Sequence, residues 1–301
     1  MTSRKVHLRK SRERKRRAKL LEHQKEENDL IQDSNPEKKP HTLKTVFVNK
    51  WAVRIYAFLI FVIIWQIVGQ TQNALIFAPP VAVAQRFVQL STDPGLTLPS
   101  ATLLTIQTVI VGFVPAVIVG VPIGILVGRS RTAEYSLDPY INLIYAIPII
   151  TLIPLFIVWF GSNMLSSYFL VFIASIFPVT INSISGAKNV RASLLETGRS
   201  FGFGGGAGLW RRIIFPASMP YIMAGLRIGA GHAVIGAILA EIFMYTVGLG
   251  LLIEDGASRF DTAEVISAVI VTIVLGVLLT EFVKYFERRV SVWSTAESYT
   301  E

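Results

Sequence analysis

Six separate runs of mostly apolar residues, each about as long as a helix needs to cross a bilayer, constrain this chain more than any other feature. A helix crosses about 30 Å of hydrocarbon with roughly 20 residues. The runs cover about Trp51–Gly69, Leu103–Val127, Ile141–Phe160, Ser167–Ile184, Ile222–Tyr245 and Val265–Val283. A seventh piece, Ala74–Val83, is short and interrupted by Pro79-Pro80, and is expected as an interfacial loop or short helix. Lipid offers the backbone no hydrogen-bond partner, so such runs are read as helices. The expected fold class is an all-α integral membrane protein with about six transmembrane helices. With 52% hydrophobic and only 16% charged residues and a mean hydropathy of +0.52, neither a disordered chain nor an ordinary soluble enzyme fits. The absence of cysteine excludes a disulfide framework, a thiolate metal site and a cysteine nucleophile.

The net charge of +9 is a property of one segment. Residues 1–54 hold 16 of the 29 Lys and Arg and 7 of the 20 Asp and Glu, which alone gives +9. The rest is balanced, with 13 basic and 13 acidic groups. Residues 1–50 therefore read as a basic tail, 51–290 as the transmembrane domain and 291–301 as a second tail. Basic residues stay on the cytoplasmic side. With the first tail inside, the inner segments carry Arg129, Arg131, Lys188, Arg191, Arg199, Arg211, Arg212, Lys284, Arg288 and Arg289, against Arg86 and Arg259 outside. Both termini are thus expected in the cytoplasm, with the chain in the cell membrane. No apolar core follows the basic run as in a signal peptide. Arg9–Lys19 suits either an arm for anionic lipid or a tail that fixes topology; no aromatic is interleaved for stacking on bases, and no nucleic-acid partner is expected.

The runs are more than anchors. Pro115 and Pro122 fall in the second, Pro148 and Pro154 in the third and Pro178 in the fourth, where each removes a backbone hydrogen bond and favours a kink. Kinked helices suit a polar route. In the fifth run Gly225, Gly229, Ala233, Gly236 and Ala240 form a narrow small-residue stripe, which lets another helix approach closely. Arg227 and Glu241 lie opposite and His232 beside it. A charge at this depth must face protein or water. Arg227, His232 and Glu241 are therefore candidates for a pathway favouring an anion, with structural pairing as the other reading.

Between the fourth and fifth runs lies a long polar segment, Lys188–Pro216. Val190, Leu194, Leu195, Gly198 and Phe201 share one side of a helix, while Arg191, Ser193, Glu196 and Arg199 point to solvent or a partner. Gly202 is expected to end that helix in the left-handed conformation. After a glycine-rich turn, Leu209–Phe215 resumes and Pro216 is expected to close it. A short amphipathic helix of this kind suits docking into a groove of another protein.

Here the sequence resembles a known family. LLETGRSFG, followed by WRRIIFP and SMP, is similar to the cytoplasmic signature of membrane subunits of ATP-binding-cassette importers: Glu-Ala-Ala, a Gly four residues on, and a hydrophobic-x-Leu-Pro ending. Glu196, Gly202 and Pro216 match it. LDPYINLIYAIPIITLIPLFIVWFG, AGLRIGAGHAVIGAILAEIF and GLGLLIEDGASRF extend the likeness, toward the branch handling sulfonates, taurine, nitrate and bicarbonate. The resemblance implies a type I importer permease arrangement, a second copy of the chain, separate ATPase subunits that use the ATP, and an extracytoplasmic substrate-binding protein. Glu196, Gly202, Pro216, Arg199 and Leu194 would couple to the ATPase. No cofactor, metal or catalytic residue of the chain's own is implied. Two departures stand out: Thr197 and Gly198 replace the alanines, and the interval from Gly202 to Pro216 is one residue longer than usual.

Rival readings are weaker. Gly202–Ala207 formally fits G-x-G-x-x-A, but no strand precedes it and position 227 is Arg. Ser185 with His232 would place a serine at a span end against a histidine deep in the next span. A carrier or channel working alone would suit inverted repeats, and the two halves show none.

Overall fold

The computed structural model describes residues 50–290 except 74–75, 93–94, 96, 204–205 and 245. The expected tails, residues 1–49 and 291–301, and the middle of the glycine cluster lie outside the described residues. The chain divides into two units, residues 1–59 and 60–301. Of the first, the described part is the start of helix α1 (Lys50–Thr71), where the Arg54 guanidinium lies 5.2 Å from the Trp51 ring centre. In the second follow α2 (Pro80–Thr92), α3 (Leu98–Arg129), α4 (Arg131–Tyr145), α5 (Ile153–Phe160), α6 (Met164–Lys188), α7 (Ala192–Ser200), one turn of α8 (Ala207–Leu209), α9 (Phe215–Phe243), α10 (Leu249–Ser258) and α11 (Thr262–Val290). No strand occurs among the described residues.

Among the described residues, five helical runs are long and apolar enough to cross a membrane; a sixth span exists only if α4 and the segment Ile149–Phe160 count as one. The run Ile141–Phe160, expected as a single helix, is bent by 87° between these pieces. Pro148 is the cause: it has no N–H and disfavours helical geometry in the residue before it. Pro154 instead sits in the first turn of α5, where its missing N–H is not needed. The kinks expected elsewhere do not interrupt their helices, since Pro115 and Pro122 lie inside continuous α3 and Pro178 inside continuous α6. The short piece around Pro79-Pro80 leads into α2, a helix longer than the apolar residues alone suggested.

Helix α6 is the centre of the bundle, with α3 on one side and α9 on the other. Glycines bring all three together. On α3, Gly112, Gly120, Gly124 and Gly128 recur in steps of four or eight, with Ala116 between them, and their missing side chains admit α6 backbone. A Cβ on Gly128 would lie 2.4 Å from the Ile184 carbonyl oxygen, and one on Gly124 would lie 2.4 Å from Ser183 Cβ. The stripe on α9 does the same from the opposite side: a Cβ on Gly225 would lie 2.7 Å from Asn182 Cβ, and one on Gly229 would lie 2.9 Å from Val179 Cγ2. Without a hydrophobic driving force between helices in lipid, such close packing is a main source of association.

The fifth span begins earlier than the apolar run suggested. α8, a π-helical turn at Trp210–Ile214 and α9 form one helical run, Ala207–Phe243, of 37 residues. Pro216 opens α9 rather than closing the preceding segment, because at the first turn its fixed φ suits a helix. At 1.5 Å per residue the run is about 55 Å long, well beyond the hydrocarbon thickness. Its first half must therefore stand in the interface and the aqueous phase.

At the other end of the bundle, Glu264 of α11 is almost fully buried between two arginines. It accepts from Arg86 Nη2 of α2 at 2.6 Å and from Arg259 Nη2 after α10 at 2.8 Å. Asp261 Oδ2 also lies 3.0 Å from Arg86 Nε. The two basic residues placed outside by the sequence thus converge on one carboxylate.

Candidate functional site

The site is the segment from Val190 to Tyr221, built on α7 and the start of the long helical run. α7 ends as its sequence demands. Gly202 takes φ +86°, the Gly202 N–H donates to the Arg199 carbonyl at 3.1 Å, and the Phe203 N–H reaches the Gly198 carbonyl at 2.9 Å. This paired closure needs a left-handed residue, which glycine adopts without a Cβ penalty. The helix touches the bundle along one narrow edge, where Gly198 is its only buried residue. A Cβ there would lie 2.0 Å from Ile213 Cδ1 and 3.3 Å from Leu209 Cδ1. Gly198 thus stands where the family signature has alanine, with the end of the Ile213 side chain in the space a Cβ would take. The extra residue between Gly202 and Pro216 has a counterpart in the π turn, where the Phe215 N–H donates to the Trp210 carbonyl across five residues instead of four.

The rest of α7 is open. Glu196 and Arg199 are exposed, as their polar face predicts. Leu194 and Phe201 share the apolar side of α7, and they are 46% and 76% exposed. The packed edge is too narrow to include them: only Leu195, Gly198 and Val190 reach the core formed with Leu209 and Ile214. Beside this edge lies a groove of about 730 Å³ whose walls include Leu194, Phe201, Phe203, Ile213, Pro216 and Tyr221. Arg212 also lines it, with its guanidinium 4.9 Å from the Phe203 ring centre. Of the five residues singled out for coupling, Leu194 and Pro216 line the groove, Glu196 and Arg199 stand on the exposed helix and Gly202 shapes its end. Sequence reasoning missed Phe203, Arg212 and Tyr221. The only signal was an aromatic beside the glycine cluster and a second aromatic five residues after Pro216.

The three pathway candidates on α9 are held by three different neighbours and do not form one constellation. Arg227 pairs with Glu287 in the last turn of α11, close to Lys284, Arg288 and Arg289. It lies 16 residues, about 24 Å, from the far end of α9, so its charge sits near the boundary of the hydrocarbon rather than deep within it. Glu241, read as a pathway group, is fully buried at the start of α10. Its Oε2 accepts from the Gly250 N–H and from Thr105 Oγ1, both at 2.9 Å, and Thr105 in turn accepts from the Leu249 N–H at 2.9 Å. A carboxylate there complements the positive end of the α10 dipole. Gly248 gives it room, since a Cβ at that position would lie 2.2 Å from Glu241 Cδ. His232 is half-buried, bonded through Nδ1 to the Ile228 carbonyl at 3.0 Å, with its ring 6.5 Å from that of Tyr145 at the end of α4. Ser185 donates to its own helix, to the Ile181 carbonyl at 3.0 Å, and makes no pair with His232.

Comparison with known proteins agrees with this architecture. Residues 120–292 match the family described as binding-protein-dependent transport system inner membrane component. The chain is 31% identical over 240 residues to the putative aliphatic sulfonates transport permease protein SsuC of Bacillus subtilis, covering 78% of this chain and 84% of that one. It is 28% identical over 235 residues to the taurine transport system permease protein TauC of Escherichia coli, covering 76% and 85%. With the nitrate import permease protein NrtB of Synechocystis it shares 29% identity over 260 residues, covering 84% and 94%. The signature around Glu196, the all-helical bundle and a family match over more than half the chain lead to one conclusion: the chain belongs to the binding-protein-dependent transport system inner membrane components, as a multi-pass permease subunit of a type I ATP-binding-cassette importer.

Proposed function

We propose that two copies of this chain form the translocation pathway of an importer for a small polar or anionic compound of the sulfonate, taurine, nitrate or bicarbonate kind. In this reading a separate ATPase subunit seats on α7 of each copy, and an extracytoplasmic binding protein delivers substrate. The substrate class rests on the names of the relatives for sulfonates, taurine and nitrate and on the sequence resemblance alone for bicarbonate, and the sidedness rests on the distribution of Lys and Arg. The convergence of Arg86 and Arg259 on Glu264 supports that sidedness, because the two outer exceptions are already neutralised.

The observation that carries the coupling role is the unburied apolar edge of α7, Leu194 and Phe201, beside an open groove and next to the exposed Glu196. A helix fixed to the bundle by one narrow contact can be moved as a lever. Its contact, Gly198 against Ile213 and Leu209, is on the helical run that continues as α9, and α9 grips α6 through its glycine stripe. A displacement of α7 on ATP binding therefore passes to α9 and α6. ATP drives the change only to the extent that the ATPases bind it differently in the two states. Within the membrane, the His232–Tyr145 pair beside the broken third span is the pathway candidate, while Arg227 and Glu241 have structural partners. The chain has no hydrolytic role in this scheme and works in contact with membrane lipid.

The test compares wild type with Glu196→Lys in proteoliposomes containing the chain, its ATPase and its binding protein. The reading expects normal insertion of the variant, weakened ATPase association and loss of ATP-driven uptake. Unchanged association and uptake would remove α7 from the coupling path. Robust uptake by the chain alone, without ATP, would remove the importer scheme for this protein.

A further inference from the structure

One face of α9 is left without a partner helix, and a single ionisable side chain stands on it. The small-residue stripe is seated on α6, and Met223 and Ala230 pack against Val283 of α11. At about 100° per residue, Ile228, Gly231, His232 and Ile235 share the remaining side. Ile228 and Ile235 are 44% and 54% exposed, and a Cβ on Gly231 would meet nothing within 4 Å. His232 lies 11 residues from the end of α9, about 16 Å, which is near the middle of the hydrocarbon. An imidazole at that depth faces protein or water rather than lipid. Beside it the third span is broken after Tyr145, where Tyr145 and Ile147 are 42% and 41% exposed. Irregular backbone inside a membrane persists only where protein covers it or where it lines a water-filled cavity. Two different elements thus place an aqueous route on this side of α9.

The one hydrogen bond of the ring fixes what it offers to that route. A carbonyl oxygen only accepts, so the 3.0 Å contact with Ile228 requires the proton on Nδ1. In the neutral ring Nε2 is then a bare acceptor. Such an atom separates solutes that carry an N–H or O–H from solutes made of acceptors alone. We propose that His232 selects a solute with a hydrogen-bond donor beside its anionic group, such as an aminosulfonate, over one without a donor, such as nitrate. Tyr145, with its ring centre 6.5 Å from that of His232, brings a hydroxyl that can donate to the anionic end. The inference rests on the importer reading above and narrows its substrate class.

The experiment uses the full chain with its ATPase in nanodiscs, with His7, His23 and His41 replaced by Gln so that His232 is the only histidine. Its ring nitrogens are isotopically labelled and followed by nitrogen NMR at a pH where the ring is neutral. The free protein is expected to show a protonated Nδ1 and an unprotonated Nε2. Taurine should move the Nε2 resonance saturably, at about one-tenth of the concentration that nitrate needs, the ratio worth one net hydrogen bond. The N-trimethyl derivative of taurine keeps both charges and lacks the N–H groups, and it should respond like nitrate. Equal responses to taurine and its trimethyl derivative would mean recognition of charge only and overturn the proposal. A proton found on Nε2, an equal response to nitrate, or no response to any of the three solutes would overturn it too. Uptake by the wild-type importer with its own binding protein is measured in parallel. ATP-driven uptake with an unresponsive His232 would sink this inference alone, whereas absence of ATP-driven uptake would sink the importer reading itself.

Discussion

Gly198 shows how a departure from a family pattern can be read as packing. Its missing Cβ would lie 2.0 Å from Ile213 Cδ1, but that atom is the end of a flexible side chain beside an open groove. Alanine also favours the helix over glycine by about 1 kcal/mol. Gly198→Ala should therefore retain coupled ATP hydrolysis with a stability change within about 1 kcal/mol, whereas Gly198→Trp should separate α7 from the π turn and uncouple hydrolysis from transport. Glu241 is the opposite case, because its neighbours cannot rearrange. Glu241→Leu would leave the Gly250 N–H and the Thr105 hydroxyl without their acceptor, at about 1–3 kcal/mol for each buried group. Glu241→Gln keeps an oxygen in place. Thermal unfolding in detergent should show a clear drop for Leu and a much smaller one for Gln. From sequence, Glu241 read as a candidate pathway group; its partner is a helix start nine residues away, which requires knowing that the chain doubles back at Gly248. Gly202 was legible because one backbone conformation decides it. The shared side of Leu194 and Phe201 was legible too, but not their exposure, since helical periodicity does not tell how wide the packed edge is.

Among the elements, the α3–α6–α9 slab depends on glycines whose absent side chains meet backbone. The stripe on α9 is visible in sequence as five small residues on one face. The equivalent stripe on α3, with Gly112, Gly120, Gly124 and Gly128, is masked by the valines and isoleucines around it and by two prolines that suggest a kink. Overpacking a tight contact costs typically about 1–3 kcal/mol. Gly124→Val should lower the yield of folded protein and its thermal stability in detergent. Gly276→Ala on α11, where a Cβ meets nothing within 4 Å, should be neutral or slightly stabilising. Equal effects of the two substitutions would show that the α3–α6 contact is not limiting. The broken third span was also partly legible: Pro148 and Pro154 were seen, but a proline alone does not mark the break, since α3 runs through Pro115 and Pro122 without interruption. α6 is enclosed by α3 and α9, and it runs through Pro178 without interruption.

At the scale of the whole molecule, Glu264 ties α2, α10 and α11 together at the end opposite α7. Removing one member of a buried ion cluster leaves the others without a counter-charge, at about 3 kcal/mol or more when buried, reduced here because Arg259 is largely exposed. Glu264→Ala should destabilise the chain in detergent and leave its binding to the ATPase unchanged, since the cluster and α7 lie at opposite ends of the spans. Equal loss of stability and ATPase binding would indicate that the two ends are not separable. The long apolar helices were legible because apolar runs act through the bilayer and need no tertiary detail, whereas their number was not, since five runs are long enough to cross and a sixth exists only if the bent pair is one span. The groove beside α7 was not legible in the same way, because it depends on where Phe203, Arg212 and Tyr221 meet in space.

The chain contains no cysteine, so a single Cys at Leu194 reports one position without background. The most direct measurement labels this Leu194→Cys variant with a membrane-impermeant maleimide in right-side-out and inside-out vesicles, with and without the ATPase subunit. The account predicts labelling only in inside-out vesicles, protection when the ATPase is bound, and a cross-link from this position to the ATPase. Labelling from the outer face, or full reactivity in the assembled complex, would contradict it.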